Sequence, residues 1–174
     1  IRDSMDTEID LAIRTREFEA DSNITIRRLA ETRRVLAASP SYLAQRGYPK
    51  TVADLENHDL LIYSHANHPN SMEFTRGEER ASVKIQPSME SNDGQIVRAA
   101  ALAGAGILVQ PKYIIYDDLV AGRLLPVLDD WDLPRLTINL AFQDRRYMPA
   151  KTRLFIDFLL EHFKKEGYER YWTR

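Results

Sequence analysis

The chain has 174 residues, 44% hydrophobic and 29% charged, with a formal net charge of −2 and a pI near 6.1. That length holds one domain or two small lobes with a sizeable core, and the charge balance lacks the basic excess of a nucleic-acid-binding surface, so direct DNA contact is not expected of this segment. The absence of cysteine excludes a disulfide framework, thiol catalysis and thiolate metal sites, and it fits a reducing compartment, with cytoplasm the default. The longest low-polarity run, Ala99 to Val109, has eleven residues against the roughly 20 that cross a bilayer. No membrane span is expected. Arg2, Asp3, Asp6 and Glu8 interrupt the start with charge, so no signal peptide is read there either.

Taken in order, Ile9-Asp-Leu-Ala-Ile-Arg14 predicts a short strand buried on both faces, which carries Arg14 and Thr15 to a sheet's rim. Ile24 to Leu29 and Val35 to Ala38 are the next strands, and the arginines among them, Arg27, Arg28, Arg33 and Arg34, are expected on a solvated hairpin edge. Ser39-Pro40 supplies a cap and a first-turn proline for a helix to about Gln45, closed by Gly47. Thr51 caps a short turn, Leu60 to Tyr63 reads as a buried strand, and His65 to Ser71 as a loop. Met72 to Thr75 and Ala81 to Gln86 bracket a hairpin with an exposed tip.

Glu90 to Pro111 is the most informative stretch. Asn92 or Asp93 can cap a helix from Gly94 to about Ala103, and glycine at its first position lets a ligand approach the outward-pointing amides. Gly104 stops that helix before a parallel strand, Ile107 to Val109, that ends at Pro111. Lys112 to Val120 is a second helix, Leu124 to Leu128 an edge strand, and Leu136 to Phe142 an alternating strand. Ala150 to about Glu166 is an amphipathic helix with Leu154, Phe155, Phe158, Leu159, His162 and Phe163 on its packing face; Gly167 to Arg174 is expected to be a mobile tail or a partner contact.

Chemistry-bearing constellations are thin. His65-Ala-Asn-His68 places two imidazoles in a loop with no carboxylate set by periodicity to complete a metal site, and His58 and His162 fit boundary or packed positions. There is no nucleophile turn and no phosphate loop, and Gly104 and Gly106 follow a helix rather than open one, so no cofactor is expected. Asp117-Asp118 and Asp129-Asp130 sit near element ends and read as solvated caps. No catalytic or metal-binding residue is assigned.

Several segments in register resemble one family. Ile9 to Arg14, Arg33-Arg-Val-Leu-Ala-Ala-Ser-Pro-Ser-Tyr-Leu-Ala-Gln-Arg-Gly-Tyr-Pro49, Asp54-Leu-Glu-Asn-His-Asp-Leu-Leu61, Asn92-Asp-Gly with Ala99-Ala-Ala-Leu-Ala-Gly-Ala-Gly106, Asp117-Asp-Leu-Val-Ala-Gly-Arg-Leu124, Asp130-Trp131 and Arg145 to Leu159 together resemble the effector-binding domain of LysR-type transcriptional regulators. The resemblance covers about residues 6 to 163. It departs locally at Val52, where a proline often begins the short helix, and at Ser88-Met89-Glu90, which replaces a more basic run.

The resemblance implies an α/β, two-lobed, periplasmic-binding-protein-like (type 2) regulatory domain. Its lobe I would be residues 1–37 with 142–174, and its lobe II residues 38–141. Family members open with a winged helix-turn-helix, a linker helix and a strand, helix and strand of the first lobe; none of these precedes Ile1, so the first lobe is expected to be incomplete, with either an unrecorded segment or a partner chain filling the gap. It further implies a small-molecule effector held between the lobes, DNA contacted through that N-terminal domain, and a homodimer or homotetramer. The effector-binding residues expected here are Arg14, Thr15, Ser39, Asn92, Asp93, Gly94, Gln110 and Pro111. Arg14 and the amides at Gly94 favour a carboxylate-bearing metabolite. A solute-binding protein of a transport system uses the same architecture and is the alternative, distinguished by a secretion signal upstream; an enzyme using the His65 and His68 loop is the more distant one.

Overall fold

The computed structural model describes residues 11–17, 24–64, 70–143 and 148–174. It divides into two compact units, Ile1–Thr32 with Arg135–Arg174, and Arg33–Pro134. Both divisions fall before the expected 37/38 and 141/142, because the strand after the first division is paired within the second unit and the strand after the second division within the first.

In chain order, unit 1 opens with β1 (Ala12–Arg16) and β2 (Ile24–Thr32). Unit 2 follows with β3 (Arg34–Ala38), α1 (Pro40–Arg46), a 3-10 helix (Val52–Asn57) and β4 (Leu60–Tyr63). It continues through β5 (Ser71–Arg76), β6 (Glu79–Lys84), β7 (Pro87–Ser91) and α2 (Gly94–Leu102). It closes with β8 (Ile107–Pro111), α3 (Lys112–Val120) and β9 (Leu125–Val127). Unit 1 resumes with β10 (Leu136–Gln143), α4 (Ala150–Glu166) and α5 (Glu169–Trp172).

Unit 2 is built on a five-stranded sheet of order β7-β4-β8-β3-β9. β4 runs parallel to β7 and β8, while β3 runs antiparallel to β8 and β9. Continuous apolar runs such as Leu60-Leu-Ile suit this position because alternate side chains serve two buried faces. Leu36, Leu60, Ile62, Ile107 and Val109 turn to one core with Tyr42, Leu55 and the hairpin residues Met72, Phe74 and Val83. Val35, Ala37, Leu61 and Leu108 turn to the other, beneath Val97 and Ala101 of α2 and Ile115 of α3. Gly106 admits β8 to the sheet: a Cβ there would stand 2.4 Å from the Asp59 carbonyl oxygen, which accepts from Ile107 N at 2.8 Å.

Unit 1 has a three-stranded antiparallel sheet, β1-β10-β2, with α4 and α5 packed on β2. Among the described residues its core cluster holds Leu140, Phe142 and Ile156, with Leu11, Leu29, Met148, Leu159 and Leu160 partly buried against it.

Three expectations need correction, and one strand was not expected. The strands at 24–32 and 34–38 do not form a hairpin: β2 pairs with β10, and β3 with β8 and β9. Pro87–Ser91, left unassigned by the sequence because of its proline and short polar alternation, is a strand parallel to β4. On α4 the fully buried residue is Ile156, while Leu154, Phe155 and Phe158 of the expected packing face are 69%, 49% and 58% exposed. Finally, Gly167 to Arg174 holds α5, preceded by Tyr168, whose ring stacks on Trp172 at 5.1 Å, and the Glu169 carboxylate accepts from Glu31 N at 2.9 Å, tying the helix to β2.

A candidate ligand edge at the start of α2

The parallel strands β7, β4 and β8 bring their carboxyl ends to one edge of the unit 2 sheet, where Tyr63 lies opposite Ser91 and β8 ends in Gln110 and Pro111. In open sheets with parallel strands, ligand-binding groups gather at this edge. α2 begins here. Asp93, rather than Asn92, caps it, accepting from Gln95 N at 2.9 Å, and its own N–H donates to Ser91 Oγ at 3.1 Å.

Gln110 projects from β8 beneath this helix start. It is 1% exposed, and its Nε2 has no hydrogen-bond partner. A Cβ at Gly94 would stand 3.4 Å from Gln110 Oε1, 3.7 Å from Nε2 and 3.5 Å from Ile114 Cδ1, so glycine leaves the amide uncovered by a side chain on that side. Buried polar groups are nearly always paired, and an orphaned amide marks a place where a partner belongs.

The helix is held in place by a charge cluster that sequence reasoning missed. Asp118 of α3, 1% exposed, accepts from Arg98 Nε at 2.6 Å and Nη2 at 2.8 Å, and from Arg123 Nε at 2.8 Å. Arg98's hydrogen bonds, with a smaller contribution from Arg123, hold the Asp118 carboxyl below the usual carboxylate range against the opposing effect of burial. Asp118 is therefore an interior tie rather than a solvated cap; its place one turn after the buried Ile115 was the available signal.

Arg33 is a second correction, since its side chain is only 8% exposed. Nε donates to Asp132 at 2.9 Å, Nη1 to Asp129 at 3.3 Å and Nη2 to the Asp129 carbonyl at 2.9 Å. This guanidinium gathers the turn after Leu128, whose φ of 49° lies in the left-handed region. Asp129 is thus an ion-pair partner, and Asp130 binds Arg76 Nη1 at 2.6 Å. Lys112, whose N–H donates to the Arg33 carbonyl at 2.8 Å, has its ammonium pushed down by burial, with Asp129 opposing and Arg33 reinforcing the shift.

Of the expected site residues, Asn92, Asp93, Gly94, Gln110 and Pro111 share the carboxyl edge, with Gly94 and Gln110 in direct apposition. Ser39 does not join them. Because β3 runs antiparallel to β8, Val35 pairs with Gln110 and Ala37 with Leu108, which carries Ser39 toward the opposite edge. There its hydroxyl caps α1 by accepting from Tyr42 N at 3.2 Å and lies 3.0 Å from Ser41 Oγ. Arg14 and Thr15 belong to unit 1, on β1 opposite Asn139 and Ile138 of β10.

His65 and His68 lie outside the described residues. His58 meets Tyr42 Oη at 2.8 Å, and burial, followed by Arg46, lowers its pKa; no carboxylate-imidazole relay accompanies it. Among the described residues no group of three or more metal-ligating side chains converges, and no helix is long and apolar enough to cross a membrane.

Comparison with known proteins decides the family. The profile of the LysR substrate binding domain matches residues 2–164. The chain belongs to the LysR family.

The HTH-type transcriptional regulator PtxR of Pseudomonas aeruginosa is 32% identical over 168 residues, 95% of this chain and 53% of that protein. DmlR of Escherichia coli, another HTH-type transcriptional regulator, is 30% identical over 92% of this chain and 52% of its own length. The chain thus spans about half the length of these curated relatives. Among solved structures, the full-length Vibrio cholerae virulence activator AphB superposes with a TM-score of 0.78 at 28% identity, over 94% of this chain and 55% of AphB. The CrgA regulatory domain of Neisseria meningitidis gives 0.78 at 27% identity, over 90% of this chain and 76% of that one. This LysR-family chain accordingly has the two-lobed, periplasmic-binding-protein-like α/β fold of LysR regulatory domains, and the two curated relatives named above are transcriptional regulators.

Proposed function

We propose that this domain senses a small carboxylate-bearing metabolite and passes its occupancy to a DNA-binding part of the same regulator, acting as a homodimer or homotetramer in the cytoplasm. The family match supports the sensing role. The observation that carries the placement of the ligand is the buried Gln110 amide, unpartnered at Nε2 beside Gly94 on the carboxyl edge of β7, β4 and β8. Asn92, Asp93 and Pro111 frame that edge, and Arg14 and Thr15 are assigned to the effector's carboxylate, because a guanidinium pairs with carboxylates through two hydrogen bonds. An effector shifts a regulator only by binding one of its arrangements more tightly than another, so the signal is a change in the population of oligomer geometries.

Isothermal titration calorimetry of the chain against a panel of small mono- and dicarboxylates tests this reading. Arg14→Ala is expected to weaken the binding acid by about tenfold or more, the scale of a lost charge-assisted hydrogen bond. Unchanged affinity removes Arg14 from the site, and a panel with no binder removes the carboxylate class.

A further inference from the structure

The groups around Gly94 carry a charge that the carboxylate reading of this end of the site overlooks. The favourable end of the α2 dipole is already occupied: the Asp93 carboxylate sits on the first turn, bonded to Gln95 N at 2.9 Å. The Ile96 and Val97 amides are satisfied by the Asp93 carbonyl at 3.2 and 3.3 Å. Nearby cations are engaged elsewhere, since Arg98 is bound to Asp118, and Lys112 faces Asp129 and Arg33. At the helix start stand the Asp93 side chain and an uncharged amide, Gln110, whose Nε2 has no partner.

We propose that the Gly94–Gln110 subsite takes a neutral hydrogen-bonding group of the effector, such as a carboxamide or hydroxyl, and rejects a carboxylate. The inference rests on the effector-site reading above and deepens it by giving the Gly94–Gln110 edge of unit 2 a neutral polar group. Gln110 complements a primary amide in either orientation, because each offers both a donor and an acceptor. A carboxylate in the same place meets the like charge of Asp93, the side chain that caps this helix start. Gly94 belongs to the subsite because a Cβ there would lie against the Gln110 amide, 3.4 Å from Oε1 and 3.7 Å from Nε2, in space a bound group would use.

Acetamide and acetate, of nearly equal size, are the probes. In 1H–15N spectra of the chain, matched titrations are expected to move the Gln110 side-chain NH2 pair and the Gly94 amide saturably with acetamide, with shifts several-fold smaller for acetate. Asp93→Asn should raise the acetate response toward that of acetamide, and Gln110→Met should abolish the acetamide response at Gly94 while the rest of the spectrum stays folded. Equal responses to the two probes in the unaltered chain, or none to either, overturn the inference. A metabolite that binds with its carboxylate at Gly94 overturns it too while leaving the effector-site reading intact; that reading falls if no small molecule of either class perturbs Arg14, Gly94 or Gln110.

Discussion

Phe74 and Phe158 are the same side chain in opposite circumstances. Phe74, on β5 of unit 2, is 0% exposed within a core that also takes Met72, Val83, Leu55 and Ile62. Phe158, on α4 of unit 1, is 58% exposed, and its recorded ring partner is His162, stacked at 5.7 Å. The contrast extends to the units themselves. Unit 2 covers both faces of its sheet and ties its interior charges at Asp118 and Arg33, leaving Tyr48, Ile96 and Val120 outside these cores, whereas among the described residues of unit 1 Ile13, Leu154 and Phe155 are open along with Phe158. Apolar burial supplies most of the favourable free energy of folding, so the two units should differ in local stability, with unit 2 the firmer.

The largest expected effect breaks that contrast from the strong side. Phe74→Ala should cost unit 2 about 3–5 kcal/mol, the usual loss when a fully buried phenyl ring leaves a cavity, while Phe158→Ala should cost unit 1 about 1 kcal/mol or less. Hydrogen exchange at the β8 and β10 amides reads the two units separately. Equal losses from the two substitutions would mean that Phe158 is covered in solution and that the difference between the units is not one of burial.

The same contrast explains how much the sequence disclosed. Helices with local signals were readable, because Ser39 and Pro40 start α1, Gly104 follows α2 with φ at 82°, and Gly167 ends α4 at 63°. The Gly94 turn and the Gln110-Pro111 end of β8 were equally legible, since a capped helix start and a buried strand are written in neighbouring residues. What was hidden depended on pairing across distance. The antiparallel direction of β3 moved Ser39 to the other edge, and ion pairs twenty and ninety-nine positions apart turned Asp118 and Arg33 from surface charges into interior ones. The open face of α4 was misjudged because helical periodicity reports which side is apolar, not whether anything covers it.

Asp118 supplies an effect of intermediate size and a pH signature. Asp118→Ala removes the shared acceptor of Arg98 and Arg123 and should destabilise unit 2 by about 1.5–3 kcal/mol, the scale of hydrogen bonds to a charged group, since the two arginines left behind reach solvent. The folded-state pKa of Asp118 is lowered, so its stabilisation is fully present above the ordinary carboxylate pKa of 3.8 and is lost as pH falls through the folded value. Acid titration of unfolding should therefore show a steep loss below pH 3.8 in the unaltered chain and a shallower one in the variant. If the two slopes agree, Asp118 does not carry the linkage.

The smallest effect sharpens the weak side. β2 has β10 as its strand neighbour, and the Glu169 carboxylate takes the place of another on its open side by accepting from Glu31 N at 2.9 Å and pairing with Arg28. Glu169→Ala removes both contacts and should cost about 1 kcal/mol, whereas Glu169→Gln keeps an acceptor for the amide and should cost only a few tenths, because exposed ion pairs contribute little. Exchange at the Glu31 amide separates the two: protection should fall severalfold in the alanine variant and hold in the glutamine one. Equal protection in both would show that the Glu169 carboxylate is not what holds α5, and that the Tyr168 and Trp172 rings, packed with Phe163 of α4, keep it in place without the polar tie.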